Sequence, residues 1–225
     1  MKFSGIQKTS LIDYPNNFST VLFTAGCNLR CPYCHNWRIV LDYSGPFLSE
    51  IDAINILEER KKFIRNIVIT GGEPTIQNDL PEFLSKLKSL GYILKLDSNG
   101  MRSKVLERSL PYLDYVAIDV KTSVDLYAKL QAKSPNDILK TIKILKGGTV
   151  NYEFRCTSVP GFVNEKIVHK MGKMVKGGKK FIFQQFIPGD TLDPNYNSKI
   201  PYSNEKIMKF ANIMSYYVED VSVRL

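Results

Sequence analysis

Short apolar runs recur along this chain, each followed by a loop rich in Gly, Asn or Asp and then by a helical pattern. That alternation constrains its fold more than any other feature. Residues 19–24, 66–70, 93–96, 115–118, 152–157 and 181–186 read as buried strands. After Ser44-Gly-Pro46, Ser49 caps a helix with Ile51, Ile54, Leu57 and Ile64 on one face. Further helices are expected at 80–90, stopped by Gly91, at 104–110, from Pro135 to 146, and at 165–175. Residues 1–18 read as a short lead-in with a turn at 13–17, and residues 125–131 as a polar connection. A helix at 203–217 and a short strand at 221–224 close the chain. Strands alternating with helices imply right-handed crossovers and a parallel sheet, hence an α/β fold. One domain over 1–225 is expected, with lead-in 1–18, core 19–186 and C-terminal extension 187–225.

Three of the four cysteines lie in one stretch, Cys27-Asn-Leu-Arg-Cys31-Pro-Tyr-Cys34-His-Asn36, just past the first of those runs. Thiolates bind soft metals, and three on one loop can ligate one centre. An iron–sulfur cluster with four irons usually takes four cysteines, so three leave one iron open to a substrate. A zinc knuckle of Cys27, Cys31, Cys34 and His35 is the alternative. It is awkward, because Cys34 and His35 are adjacent and zinc ligands usually come as separated pairs. Cys156 stands alone and reads as a small buried side chain.

The other chemically unusual segments also follow strands: Gly71-Gly-Glu-Pro74, Asp97-Ser-Asn-Gly100 and Asp119-Val-Lys121. In parallel α/β folds the loops at the carboxyl ends of strands build the active site. Taken singly, Gly71-Gly72 is an ordinary turn, Asp97–Gly100 an Asx-type turn, and Asp119/Lys121 a solvated pair. Their shared placement makes them one candidate site.

No run approaches the ~20 apolar residues of a membrane span, and the N-terminus lacks the apolar core of a signal peptide. A cytoplasmic protein with reduced thiols and no membrane partner is therefore expected. The net charge of +9 is partly gathered at residues 166–180. A solvated helix face explains that cluster, and with no recognised motif direct nucleic-acid binding is not expected.

The C-x3-C-x2-C spacing, with Tyr33 before the third cysteine, resembles the signature of radical S-adenosylmethionine enzymes. That resemblance implies a partial (βα)6 barrel and an oxidoreductase. It also implies a [4Fe-4S] cluster on Cys27, Cys31 and Cys34, and S-adenosylmethionine as second cofactor. Gly71, Gly72 and Glu73 match the family segment that holds the cofactor's amino group; Tyr33, His35, Asp97, Ser98 and Asn99 fall at cofactor-contacting positions. Asp119, Lys121 and Arg155, the last followed by Val159-Pro-Gly161, resemble the glycyl-radical-enzyme activating group. There Asp97 and Asp119 match positions holding a monovalent cation, and no catalytic residue is implied beyond cluster and cofactor. The strand-six histidine of that group is missing; Gln184 or Gln185 stands in its place. Gly5-Ile-Gln-Lys-Thr-Ser-Leu-Ile-Asp-Tyr-Pro15 resembles the activating proteins of anaerobic ribonucleoside-triphosphate reductases. The resemblance implies hydrogen abstraction from a partner glycine by a 5′-deoxyadenosyl radical, with a flavodoxin or ferredoxin as electron donor. A radical enzyme acting on a small molecule, for instance in deazaguanine synthesis, or on another glycyl-radical enzyme, stays open beside it.

Overall fold

The computed structural model describes residues 1–41 and 45–225, so Ser44 of the expected turn lies outside the described residues. The chain forms two compact units that interleave in sequence. The first takes residues 1–28, 36–98 and 104–116, and the second 29–35, 99–103 and 117–225.

In the first unit β1 (Phe3–Tyr14) runs antiparallel to β2 (Asn17–Thr24). Strands β2, β3 (Asn66–Gly71) and β4 (Ile93–Ser98) follow in parallel, with Leu22 opposite Ile69 and Val68 opposite Lys95. The short α1 (Trp37–Leu41), α2 (Glu50–Arg60) and α3 (Leu80–Ser89) connect them, and α4 (Ser103–Ser109) comes after β4. β2 and β3 bury apolar side chains on both faces, as central parallel strands do. Phe3 is fully buried against the Phe83 ring of α3, 5.2 Å between centroids. Ser49 and Asp52 close a reciprocal capping box on α2, which ends at Arg60, short of Ile64.

The expected lead-in contains a twelve-residue strand that its sequence does not announce. Its burial is irregular, with only Phe3, Ser10 and Tyr14 buried, and its pairing with β2 shifts register three times. Those bulges erase the alternation by which a strand is recognised in sequence. Helix α1 was also not expected; five residues give too little periodicity to read.

β5 (Tyr115–Asp119) enters the second unit at Ala117. There β6 (Asn151–Ser158), β7 (Gly178–Gln185) and β8 (Val218–Arg224) are parallel neighbours. The Val120 N–H donates to the Arg155 carbonyl at 2.8 Å, tying the end of β5 to β6. A 3-10 helix (Val124–Leu130), α5 (Asp137–Gly147), α6 (Glu165–Val175) and α7 (Asn204–Met214) connect the strands. Residues 187–225 thus carry both α7 and the full strand β8. Val168, Met171 and Val175 line one buried face of α6 at helical spacing, and Phe183 of β7 packs on Phe210 of α7. All six expected strands are present with ends within three residues, so the α/β alternation stands. No helix among the described residues is long and apolar enough to cross a membrane.

Candidate active site

In the first unit two loops at strand ends press together. Gly72 N–H donates to the Thr24 carbonyl at 3.0 Å, and Glu73 N–H to the Gly26 carbonyl at 2.8 Å. A Cβ on Gly72 would stand 1.8 Å from the Gly26 oxygen, and one on Gly71, at φ 112°, 2.4 Å from the Thr24 nitrogen. Only glycine permits this approach, so the Gly-Gly pair locks the root of the cysteine loop onto β3. Glu73 is buried; its Oε1 accepts from the Thr75 N–H and hydroxyl and from the Ser98 hydroxyl at 2.7 Å. Glu73 and Ser98, read separately from sequence, are partners. Asp97 forms a buried ion pair with Lys95. Lys95 went unread, although a lysine inside the run Leu94–Leu96, two residues before Asp97, is itself a signal: residues i and i+2 share a strand face.

In the second unit Cys31 is buried, and that burial raises its thiol to about 11 against the pull of the Lys121 charge. Tyr33 is buried against Phe162, centroids 5.3 Å apart. Burial also carries the Tyr33 hydroxyl well above its ordinary value. Cys34 and Pro32 accept backbone hydrogen bonds from Leu192 and Asp193, which fix the loop against the chain after β7. His35 is exposed, its Nε2 3.0 Å from the Ile187 carbonyl. Asn99 accepts from the Met101 N–H at 3.0 Å, which makes the expected Asx turn.

Asp119 lies between two cations, Lys121 Nζ at 3.1 Å and Arg155 Nε at 3.0 Å. Burial alone would raise its carboxyl, but the charges and hydrogen bonds of Lys121 and Arg155 outweigh it and bring the value down to about 2. Burial likewise opposes the Lys121 charge, and Asp119 prevails, holding Lys121 well above the usual lysine range. In the β6–β7 register Arg155 faces Ile182 and Thr157 faces Gln184. Register partners share a face, so Gln184 lies on the Asp119 side of the strand pair. Gln185 is on the other face with Phe183, where its amide donates to the Tyr202 carbonyl at 3.0 Å. Cys156 is buried as expected.

Cys27, Cys31 and Cys34 are in no disulfide and keep their sulfurs as thiols, the chemistry an iron–sulfur cluster requires. Among the described residues, no three His, Cys, Asp or Glu side chains converge as a single-ion site requires. The radical SAM superfamily model matches residues 21–171, two thirds of the chain. This chain belongs to the radical S-adenosylmethionine superfamily.

Radical S-adenosylmethionine enzymes use a [4Fe-4S] cluster and S-adenosylmethionine, and the three thiols fit that cluster. A Methanocaldococcus jannaschii protein provisionally named a glycyl-radical enzyme activating enzyme is 36% identical over 98% of this chain and 95% of its own length. The pyruvate formate-lyase-activating enzyme of Clostridium pasteurianum is 26% identical over 88% of this chain and 86% of its own. These place the chain in the glycyl-radical-enzyme activating group of the superfamily. Streptococcus suis SuiB, solved with its precursor peptide SuiA, superposes with TM-score 0.66 at 16% identity, over 90% of this chain and 48% of SuiB. That likeness is one of fold, and it agrees with the partial (βα)6 barrel expected of the superfamily.

Proposed function

We propose that this radical S-adenosylmethionine protein activates an anaerobic ribonucleoside-triphosphate reductase by removing a hydrogen atom from one of its glycines. The full-length relative at 36% identity, itself named for glycyl-radical enzyme activation, carries the general reading. The reductase as target rests on the segment Gly5–Pro15, most of which lies in β1. A [4Fe-4S] cluster bound here would supply the one-electron reduction that cleaves S-adenosylmethionine for hydrogen abstraction.

The chain's own residues do the holding. Cys27, Cys31 and Cys34 would ligate the cluster. Gly71 and Gly72 keep backbone, not side chains, at the cofactor's edge, and Glu73 with Ser98 braces that loop. Lys121 and Arg155 offer positive charge to the cofactor's carboxylate while Asp119 fixes both. Gln184 stands on the same face in place of the group's histidine. Tyr33, His35 and Asn99 shape the rest of the cofactor's surroundings. Asp97 and Asp119, which pair with Lys95 and Lys121, would each be a ligand for a monovalent cation beside the cofactor. A flavodoxin or ferredoxin serves as donor, and the cytoplasm, where thiols stay reduced, is the compartment.

The test is anaerobic incubation of the reconstituted protein, S-adenosylmethionine and a reductant with candidate glycyl-radical enzymes. A glycyl-radical signal on the ribonucleotide reductase, with 5′-deoxyadenosine formed in step, is expected. A signal on a formate-lyase-type enzyme alone would reassign the partner.

A further inference from the structure

The positive charge of this chain is not spread evenly. Residues 125–180 carry twelve lysines and arginines against four carboxylates, so +8 of the net +9 lies there. In the second unit this stretch forms the 3-10 helix, α5, β6, α6 and the start of β7. Lys129, Lys133, Lys143, Lys166 and Lys173 are exposed, with no carboxylate partner among the described residues. Lys140 and Lys170 are paired, with Asp137 and Asp125, both at 2.8 Å.

One end of this basic stretch reaches the cysteine loop. The Arg30 N–H, between Cys27 and Cys31, donates to the Leu130 carbonyl at 2.9 Å. The 3-10 helix that bears Lys129 is therefore hydrogen-bonded to the loop. A cluster on that loop would take its electron from outside, so a donor must come near the loop.

We propose that the lysines of the 3-10 helix, the segment after it, α5 and α6 are the docking surface of an acidic protein that carries a one-electron cofactor and supplies that electron. This rests on the cluster-bearing reading above. At each encounter the carrier is oxidised by one electron and the cluster reduced by one; no bond forms or breaks at the surface. A polar, charge-led contact suits such an encounter: redox partners use small interfaces, and complementary charge raises the association rate more than the affinity. Steering of this kind is worth about 10- to 1,000-fold in rate at low salt. Nucleic acid is the weaker occupant. Among the large apolar side chains exposed on this stretch, Leu139 is the one found, so stacking platforms are missing.

The experiment uses the full chain and the triple variant Lys129→Glu, Lys133→Glu, Lys173→Glu, all three exposed and outside the cofactor site. Oxidised flavodoxin, an acidic flavin protein, is titrated into each by calorimetry at about 50 mM and about 300 mM salt, a range over which screening grows strongly. The reconstituted protein is then reduced by photoreduced flavodoxin and, separately, by reduced methyl viologen. Expected are binding that weakens with salt, a loss of at least about tenfold in binding and in flavodoxin reduction rate for the variant, and viologen reduction changed less than about twofold. Equal flavodoxin rates in both proteins, or binding indifferent to salt, would overturn the proposal. So would steep salt-dependent binding of a 20-base-pair DNA duplex with none of flavodoxin. Failure to assemble a reducible cluster would count against the functional reading instead, and calorimetry would still report on the docking surface.

Discussion

An alanine at position 72 would set its Cβ 1.8 Å from the Gly26 oxygen, and backbone on both sides leaves it nowhere to go. Gly72→Ala must push the cysteine loop away from β3. A loss of about 1–3 kcal/mol, the usual cost of overpacking, is expected in urea unfolding, with lower iron content after reconstitution. Wild-type stability and iron content would separate the glycine from the site. Asp119 gives a second case. Its carboxyl is lowered to about 2, below the ~4 of an unfolded chain, so its stabilisation is present above pH ~4 and lost as pH falls through ~2. Asp119→Asn leaves Lys121 and Arg155 facing a neutral partner. A cost of about 1–3 kcal/mol is expected at pH 6, discounted because 32% of the carboxylate side chain is exposed. The difference from wild type should shrink between pH ~4 and ~2. A difference that stays constant with pH would assign the effect to shape and not to charge.

At the scale of elements, α2 depends on one local device. Ser49 accepts from the Asp52 N–H at 3.2 Å, and the Asp52 carboxylate accepts in return from Ser49. Ser49→Ala is expected to cost about 1 kcal/mol, read as a lower urea midpoint at unchanged slope. That cap was legible because it depends on residues three apart in sequence. The strands at 19–24, 66–70 and 152–157 were legible for a like reason, being apolar runs bounded by turn residues. β1 was not, because its partner shifts register three times and its exposed Leu11 and Ile12 mimic a surface segment. In the site, Cys27, Cys31, Cys34 and Gly71-Gly72 could be read from spacing. The Glu73–Ser98 bond and the Lys95–Asp97 pair could not be, since each needs three-dimensional placement or a lysine tolerated within an apolar run. Which of Gln184 and Gln185 shares a face with Arg155 needed the β6–β7 register, which no single strand contains.

Across the whole molecule, the surplus of positive charge is carried by residues 125–180, a stretch that also holds Arg155 of the candidate site. That charge is what the docking surface proposed above rests on. Membership of the superfamily is testable without any partner protein. The most direct measurement is anaerobic reconstitution with iron and sulfide, followed by reduction and addition of S-adenosylmethionine, read by electron paramagnetic resonance with an assay for 5′-deoxyadenosine. The predicted result is a reduced-cluster signal that changes on adding the cofactor, 5′-deoxyadenosine released, and both abolished in Cys27→Ala, Cys31→Ala and Cys34→Ala. Zinc in stoichiometric amount, with no cluster signal and no cleavage, would contradict it.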